Sequence, residues 1–418
     1  MSNLESWVRY GDEMRRPLLI SGNFAKSSKI VIVGGGLSGL CCAYRIATKR
    51  PDLEIIIHEK SSELGGVIGT WQQDEWICDL AVNATRPHPS FWRLIRDLGL
   101  ENEFKPSKSQ AKARWILLNG KRQKLSWKFI FKMGPFKLLR TIKSSRNGGK
   151  SVSEVIPNKQ VADAMCLGIV NDTSENVDAD FLIPSVTRFG AEPPIKKSKL
   201  KKLYNSTYPI FVPKKGSIAS IDGGMKTLVQ CLVQSLESLD NVTLAIGQES
   251  ESPISVSKAY GVPLESILWT APNPNQVNEH SNLSIFAIGF KKEQVTNIEI
   301  GYGTLIPDSN LPISGILHES DLHNSKRCPE NHRLFRLMVP HNRWDGDEKS
   351  VLDCANNLLS KDPVLFTKIG ERRIPKYKPG YMSKLIQIDD SLSYAGWNYS
   401  GVAVTHVVAE AERIAELF

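Results

Sequence analysis

Residues 30–39 read IVIVGGGLSG, and the apolar run Leu40–Ala47 follows at once. The chain then carries a second apolar run, residues 54–58 (EIIIH), and meets an acid at Glu59, about twenty positions past the glycines. The order is strand, glycine turn, helix, strand, acid. Gly34 stands where the chain leaves the strand with backbone angles that a side chain resists. Gly36 lets the main chain come close to a diphosphate, and Gly39 lets the helix pack on the strand. Amides near Leu37 and Ser38 point at the phosphates from the positive end of the helix dipole. Glu59 accepts hydrogen bonds from a ribose. The unit is predicted to hold a dinucleotide.

Residues 60–70 read KSSELGGVIGT. A Gly65-Gly66 pair just beyond the ribose acid makes a tight turn whose amides reach phosphate and ribitol. The extension is similar to that of glutathione-reductase-type flavoproteins, and it selects FAD over NAD as the expected cofactor.

Composition narrows the field. The chain has 418 residues, enough for two or three domains, and its hydrophobic fraction is 41%. No apolar run approaches the roughly 18 residues a membrane span needs. The net charge is +9, with much of it in residues 121–150 and 196–202. Between 121 and 140 lysines and arginines interleave with Trp127, Phe129, Phe131, Phe136 and Leu139. That pattern reads either as a basic surface resting peripherally on a bilayer or as a solvated helical face. No nucleic-acid-binding signature appears, so nucleic acid is not expected as a partner. The seven cysteines have no metal spacing and read as buried thiols in a reducing compartment.

Further along, Trp71–Asp79 reads as a hairpin, residues 91–98 as a helix, and Arg114–Leu118 as a strand ending in the turn Asn119-Gly120. Residues from about 121 to 205 read as helical. A second Gly-Gly pair, Gly223-Gly224, precedes an apolar-periodic helix, and 283–375 alternates strand-like runs with turns. The end, YAGWNYSGVAV (394–404), is a strand and glycine turn opening a last helix, with the amides of Val402, Ala403 and Val404 aimed at the flavin end of the cofactor. The expected fold is α/β. A discontinuous Rossmann FAD domain (29–110, 206–275, 385–418) is joined to an antiparallel-sheet substrate domain (276–384) and a helical insertion (111–205). A flexible leader (1–28) precedes them.

These pieces resemble protoporphyrinogen oxidase, within the amine oxidase-like flavoproteins. The motifs GGGLSGLCCAYRI and HEKSSELGGVIGT carry most of the resemblance; ARWILLNGKRQKLS, SIDGGMKTL, IGYGTLIP, IPKYKPGY and YAGWNYSGVAV follow in order. The resemblance implies FAD- and oxygen-dependent oxidation of protoporphyrinogen IX in haem biosynthesis. It implies a cofactor set of Gly34, Gly35, Gly36, Leu37, Ser38, Gly39, Glu59, Lys60, Gly65, Gly66, Val67, Trp397, Val402, Ala403 and Val404. It places Arg114 on a substrate propionate and Tyr302 and Leu305 on either side of a pyrrole ring. The chemistry is the flavin's, so no catalytic acid–base residue is assigned. A peripheral place on the mitochondrial inner membrane and a homodimer are also implied.

Several positions depart from the family pattern. An acid-x-Gly-Pro-Arg turn beside the flavin reads Asp79-Leu-Ala-Val-Asn83, losing a glycine and an arginine. Leu167 replaces an arginine, and Lys376 and Tyr381 replace a glutamine and a histidine of the IPKYKPGY segment. The alternatives are a catalytically weak or inactive FAD-binding paralogue, or an oxidase of another apolar substrate or an amine.

Overall fold

The computed structural model describes residues 12–86, 88–125, 143, 145–193, 218–250, 252–272, 279–388 and 391–418. In chain order the strands are β1 (Lys29–Val33), β2 (Glu54–His58), β3 (Thr70–Gln73), β4 (Trp76–Asp79), β5 (Phe104–Pro106), β6 (Arg114–Leu118), β7 (Lys121–Lys124) and β8 (Ala219–Ile221). They continue with β9 (Val242–Ala245), β10 (Ile267–Trp269), β11 (His280–Lys291), β12 (Gly303–Leu305), β13 (Gly315–Leu317), β14 (His332–Pro340), β15 (Leu365–Pro375) and β16 (Ser393–Tyr394).

The first sheet is parallel throughout, in the order β16-β10-β1-β2-β9. Ile30–Val33 and Ile55–Ile57 are buried. A strand covered by helices on both sides has no solvated face, so its sequence is a continuous apolar run rather than an alternation. Helix α1 (Leu37–Lys49) packs between α2 (Lys226–Glu237) and α3 (Val404–Ala415). Leu40, Ala43, Ile46 and Ala47 lie in the core they share. Arg45 is buried in that helix, and Glu412 holds it at 2.8 Å with Asp97 as a second partner.

The second sheet runs β15-β11-β14-β13-β12-β6-β7 and is antiparallel except where β12 meets β6. One face carries Phe286, Ile288, Phe335 and Leu337, which pack on Val351 and Ala355 of α-helical residues 348–358. The other face turns toward the parallel sheet. Gly370 on β15 is an ordinary van der Waals neighbour of Leu80, just beyond β4. Both expected sheets are therefore present, and the parallel one is assembled from three separate pieces of chain.

Two expectations change, and a third lies mostly outside the described residues. Residues 121–124 form strand β7, because the Asn119-Gly120 turn takes φ of 50° and 71° and folds the chain back onto β6. The start of the expected helical insertion thus belongs to the substrate sheet. Shorter helices follow, Val152–Val155, Lys159–Val170, Ala179–Leu182 and Pro184–Thr187. The basic, aromatic stretch read as a membrane surface lies, from 126 to 140, outside the described residues. Finally, residues 12–28 are packed rather than flexible. Leu19 bridges Tyr394 at the edge of the parallel sheet, and Arg16 is only 2% exposed. A Cβ on Gly401 would stand 2.6 Å from the Arg16 guanidinium carbon, so the C-terminal glycine turn is built around this arginine.

Candidate cofactor and substrate site

The glycine turns that are far apart in sequence form one cradle at the carboxyl ends of β1, β2, β10 and β16. Gly34 takes φ +108°, and its amide bonds the carbonyl of His58 at 2.8 Å. A Cβ on Gly39 would collide with the Gly34 carbonyl oxygen, so the helix closes on the turn only because that position is bare. The second turn lies directly against the first: the Gly65 amide bonds the Gly35 carbonyl at 2.7 Å, and Gly36 bridges Gly65. Thr270, just after β10, donates its hydroxyl to the carbonyls of Val33 and Gly34. Gly396 closes the cradle from the far end, where its added Cβ would lie 3.4 Å from the Ser38 hydroxyl.

Glu59 takes part in holding the cradle. One of its oxygens accepts from the Gly35 amide at 2.6 Å and the other from the Ser61 amide at 2.8 Å. A carboxylate oxygen has two lone-pair sites, so each retains a place for a ribose hydroxyl. Lys60 and Val67 stand exposed beside the turn.

The residues fit FAD on two observations. Gly36 is the N-cap of α1 and no side chain caps that helix, which leaves the Leu37 and Ser38 amides open to an outside acceptor. Above Gly36 there is room: a Cβ there would meet only Gly66, at 3.9 Å. The same holds at α3, where Ala403 is an uncapped N-cap and the helix begins at Val404. Val402, one residue earlier, packs half-buried beside Tyr377 and Tyr399 in the cluster under this end. Two helix starts that follow glycine turns are therefore uncapped by side chains.

Trp397 opens the short helix Trp397–Ser400 between Gly396 and Gly401. Tyr377 and Tyr381 donate their hydroxyls to the carbonyls of Trp397 and Asn398, at 3.2 and 2.8 Å. The Tyr377 ring stacks on Phe181, and the Tyr381 ring meets both edge-on. Tyr381, which departs from the family pattern, is thus a brace for the cofactor turn. Lys376 turns toward Glu279 at the surface. Leu167 lies in helix Lys159–Val170, half-buried.

The altered turn Asp79–Asn83 is tied to the second sheet by a buried ionic network. Arg327 pairs with the Asp79 carboxylate at 3.0 Å. Arg336, in the middle of β14, donates to the carbonyls of Asp79 and Ala81 and pairs with Glu319 at 2.8 Å. His323 contacts the other Glu319 oxygen at 3.0 Å, and the Asn83 amide reaches Glu319 at 3.4 Å. Burial works against ionisation of Glu319, but the Arg336 charge and the His323 bond outweigh it and hold the carboxyl at about 2. The arginine missing at position 83 thus has a counterpart, Arg336, delivered by another strand.

The sheet face toward the cradle is read from its register. One row across five strands is Gly370, Ile285, Met338, Gly315 and Leu305, apolar and partly bare. The next row on that face holds Ala287, Arg336, Leu317, Gly303 and Arg114. Arg114 is exposed, and its guanidinium lies over the Tyr302 ring, 4.7 Å from the centroid. Among the described residues no carboxylate pairs with it. Burial raises the Tyr302 hydroxyl above its ordinary value, against the charges of Arg114 and Arg336. Leu305 is half-buried against Ile116, Leu118 and Ala164, and a Cβ on Gly168 would touch it at 3.0 Å. The structure brings Arg114 and Tyr302 together, whereas Leu305 packs under the helix 159–170.

Arg336, Glu319, Arg372 and Arg16 escape the sequence reading. A signal existed for two of them: arginines inside the otherwise apolar runs RLFRLMVP and ERRIP.

Residues 32–98 match the family model of an NAD(P)-binding Rossmann-like domain. Protoporphyrinogen oxidase 1 of Arabidopsis thaliana is 33% identical over 102 residues, which is 24% of this chain and 19% of that protein. The thiamine thiazole synthase of Coprinopsis cinerea is 40% identical over 76 residues, 18% of this chain and 22% of that one. The matched stretch thus spans about a fifth of the length of these curated relatives. Among solved structures, an Exiguobacterium protein provisionally assigned as a protoporphyrinogen oxidase superposes with a TM-score of 0.64 at 16% identity, covering 93% of this chain and 98% of that one. A putrescine oxidase gives 0.60 at 11% identity, covering 93% and 98%.

Fold and cradle together define a Rossmann-type dinucleotide-binding protein with the architecture of these solved structures, and its glycine turns fit FAD. The chain is similar, over 102 and 93 residues, 24% and 22% of its length, to the protoporphyrinogen oxidases 1 of Arabidopsis thaliana and Spinacia oleracea.

Proposed function

We propose that the chain oxidises a porphyrinogen, protoporphyrinogen IX first among candidates, to the porphyrin, with oxygen as the final acceptor. FAD supplies the acceptor for the substrate's electrons when bound. The protein's work is to place a flat, apolar, dicarboxylic molecule between the cradle and the second sheet. The observation that carries this reading is the Arg114–Tyr302 pair at the edge of an apolar, glycine-bearing sheet face. A guanidinium already stacked on a ring keeps its donor edge free to grip a carboxylate in forked geometry. On the same face Met338 is half-buried and apolar, and Gly315 and Gly370 carry no side chain. We place this activity at the mitochondrial inner membrane, with the basic stretch 121–140 as its contact.

The test is direct. Purified protein is read at the flavin absorption band, then mixed with protoporphyrinogen under air while porphyrin fluorescence is followed. Growth above the autoxidation blank supports the reading. Bound flavin with no such growth removes it.

A second reading, an oxidase of another substrate such as an amine, is favoured by Asn83. Its amide is held by Glu319 inside the wall, so the turn offers no charge to the substrate. Amine-dependent peroxide formation by the same preparation would select it.

A further inference from the structure

Four buried arginines of this protein pair with carboxylates: Arg45 with Glu412, Arg327 with Asp79, Arg333 with Asp321 and Arg336 with Glu319. Arg16 donates to the Phe181 carbonyl. Arg372, half-buried, differs from those four. It sits on β15, two residues past Gly370 and so on the same face, which looks toward the cradle. Its Nε is fully enclosed and makes no hydrogen bond, and among the described residues the side chain has no ion pair. Its guanidinium lies over the Trp397 ring, 5.9 Å from the centroid. Trp397 directly follows Gly396, whose neighbour is Ser38 at the start of the dinucleotide helix. Arg336 and Tyr377 are the ionisable groups that face it. Enclosure, reinforced by the Arg336 charge, brings the Arg372 guanidinium down to about 10.

A largely enclosed cation without a counter-ion costs free energy, and a fold that pairs Arg45, Arg327, Arg333 and Arg336 has a use for this one. We propose that Arg372 is the anion contact at the flavin end of the cavity: it holds negative charge that arrives with the ligand. Two sources carry such charge. One is the flavin ring itself when reduced, whose anion a fixed cation favours. The other is a carboxylate of the substrate. The inference rests on the flavin reading above and adds to it a residue outside every cofactor motif.

The experiment uses the full-length, FAD-loaded protein and two variants, Arg372→Met and Arg372→Lys. The first arm is a redox titration with no substrate present. If the anion is the reduced flavin, Arg372→Met loses about tenfold in preference for reduced over oxidised flavin, about 30 mV for a two-electron couple, and Arg372→Lys recovers most of it. The second arm measures binding of protoporphyrin IX and of its dimethyl ester through the flavin spectrum. If the anion is a carboxylate, Arg372→Met weakens the diacid about tenfold or more and leaves the ester unchanged, with the potential unmoved. Flavin content is read in every sample. A loaded Arg372→Met protein with wild-type potential and wild-type diacid binding overturns the inference and leaves the flavin reading intact. Wild-type protein that takes up no FAD overturns both. Should Arg372→Met fail to fold, Arg372→Gln takes its place: it also removes the charge, so the potential must shift or diacid affinity must fall, and a loaded Arg372→Gln protein with both unchanged overturns the proposal.

Discussion

At the level of single residues, two side chains make separable demands. Arg114 stacks on Tyr302, on a strand of the second sheet. If it grips a substrate carboxylate, Arg114→Ala raises KM for protoporphyrinogen at least tenfold, since a charged hydrogen bond is worth about 1.5–3 kcal/mol. Flavin content stays as in the parent. An unchanged KM assigns the arginine to stacking alone. Glu410 makes a different demand. Its carboxyl is buried in α3 and accepts from the Gly396 amide at 2.7 Å, at the hinge of the cofactor turn. Burial lifts it from 4.5 to about 7, against the pull of the Gly396 amide, Arg413, Ser400 and Arg16; Cys42 also faces it. A folded-state value above the unfolded one means the native state holds an extra proton between them. Stability is therefore highest below about pH 4.5 as far as this group is concerned, and falls by up to about 3 kcal/mol as pH rises through 7. Glu410→Gln keeps an acceptor for Gly396 and removes the titration. Denaturant melts from pH 5 to 8 should show the parent losing stability relative to the variant. Parallel curves would place the titration elsewhere.

At the level of elements, the joint between the two sheets is ionic. The hairpin β3-β4 and the turn after it are fastened to β14 and to helical residues 319–322 by Asp79, Arg327, Arg336 and Glu319. Removing one member of a buried pair leaves the other charge uncompensated, which costs about 3–5 kcal/mol. Arg336→Met should destabilise by that order in chemical denaturation. Replacing both partners, Arg336→Met with Glu319→Gln, should recover a substantial part. A double variant no better than the single one would show that the carbonyls of Asp79 and Ala81, rather than Glu319, are what Arg336 serves. The cofactor turn has its own support, the aromatic group of Tyr377, Tyr381 and Phe181 beneath Trp397. Position 381 was legible in the sequence as a departure. Its role as a brace was not, because it depends on carbonyls 17 residues away at Asn398.

At the level of the whole molecule, the FAD domain is closed by chain from both termini. Leu19 adds to the edge of β16, the Ser21 amide bonds the Ser393 hydroxyl at 3.0 Å, and Arg16 fills the space beside Gly401. Deleting residues 1–20 should lower the melting temperature and the flavin content together. Free FAD at a hundred times its Kd stabilises a protein that binds it only when folded by about 2.7 kcal/mol, so added FAD should restore part of the loss. Normal flavin content after deletion would mean that the cradle closes without this segment.

The sequence by itself determined the dinucleotide unit: β-branched runs make strands covered on both faces, glycines make the turn, and Glu59 ends the second strand at the spacing a ribose requires. Those signals are local, carried within about thirty residues. It also marked Gly65-Gly66, Gly223-Gly224 and the last glycine turn as separate features. Only the tertiary structure decided that the Gly34–Gly36 and Gly65–Gly66 loops lie edge to edge, that β7 belongs to the substrate sheet, that Arg16, Leu19 and Ser21 pack against the C-terminal segment, and that Arg336 and Arg372 share one face of the second sheet. Each of those depends on pairing between residues tens to hundreds of positions apart, where an arginine in a strand reads the same whether it meets water, a carboxylate or an enclosed groove.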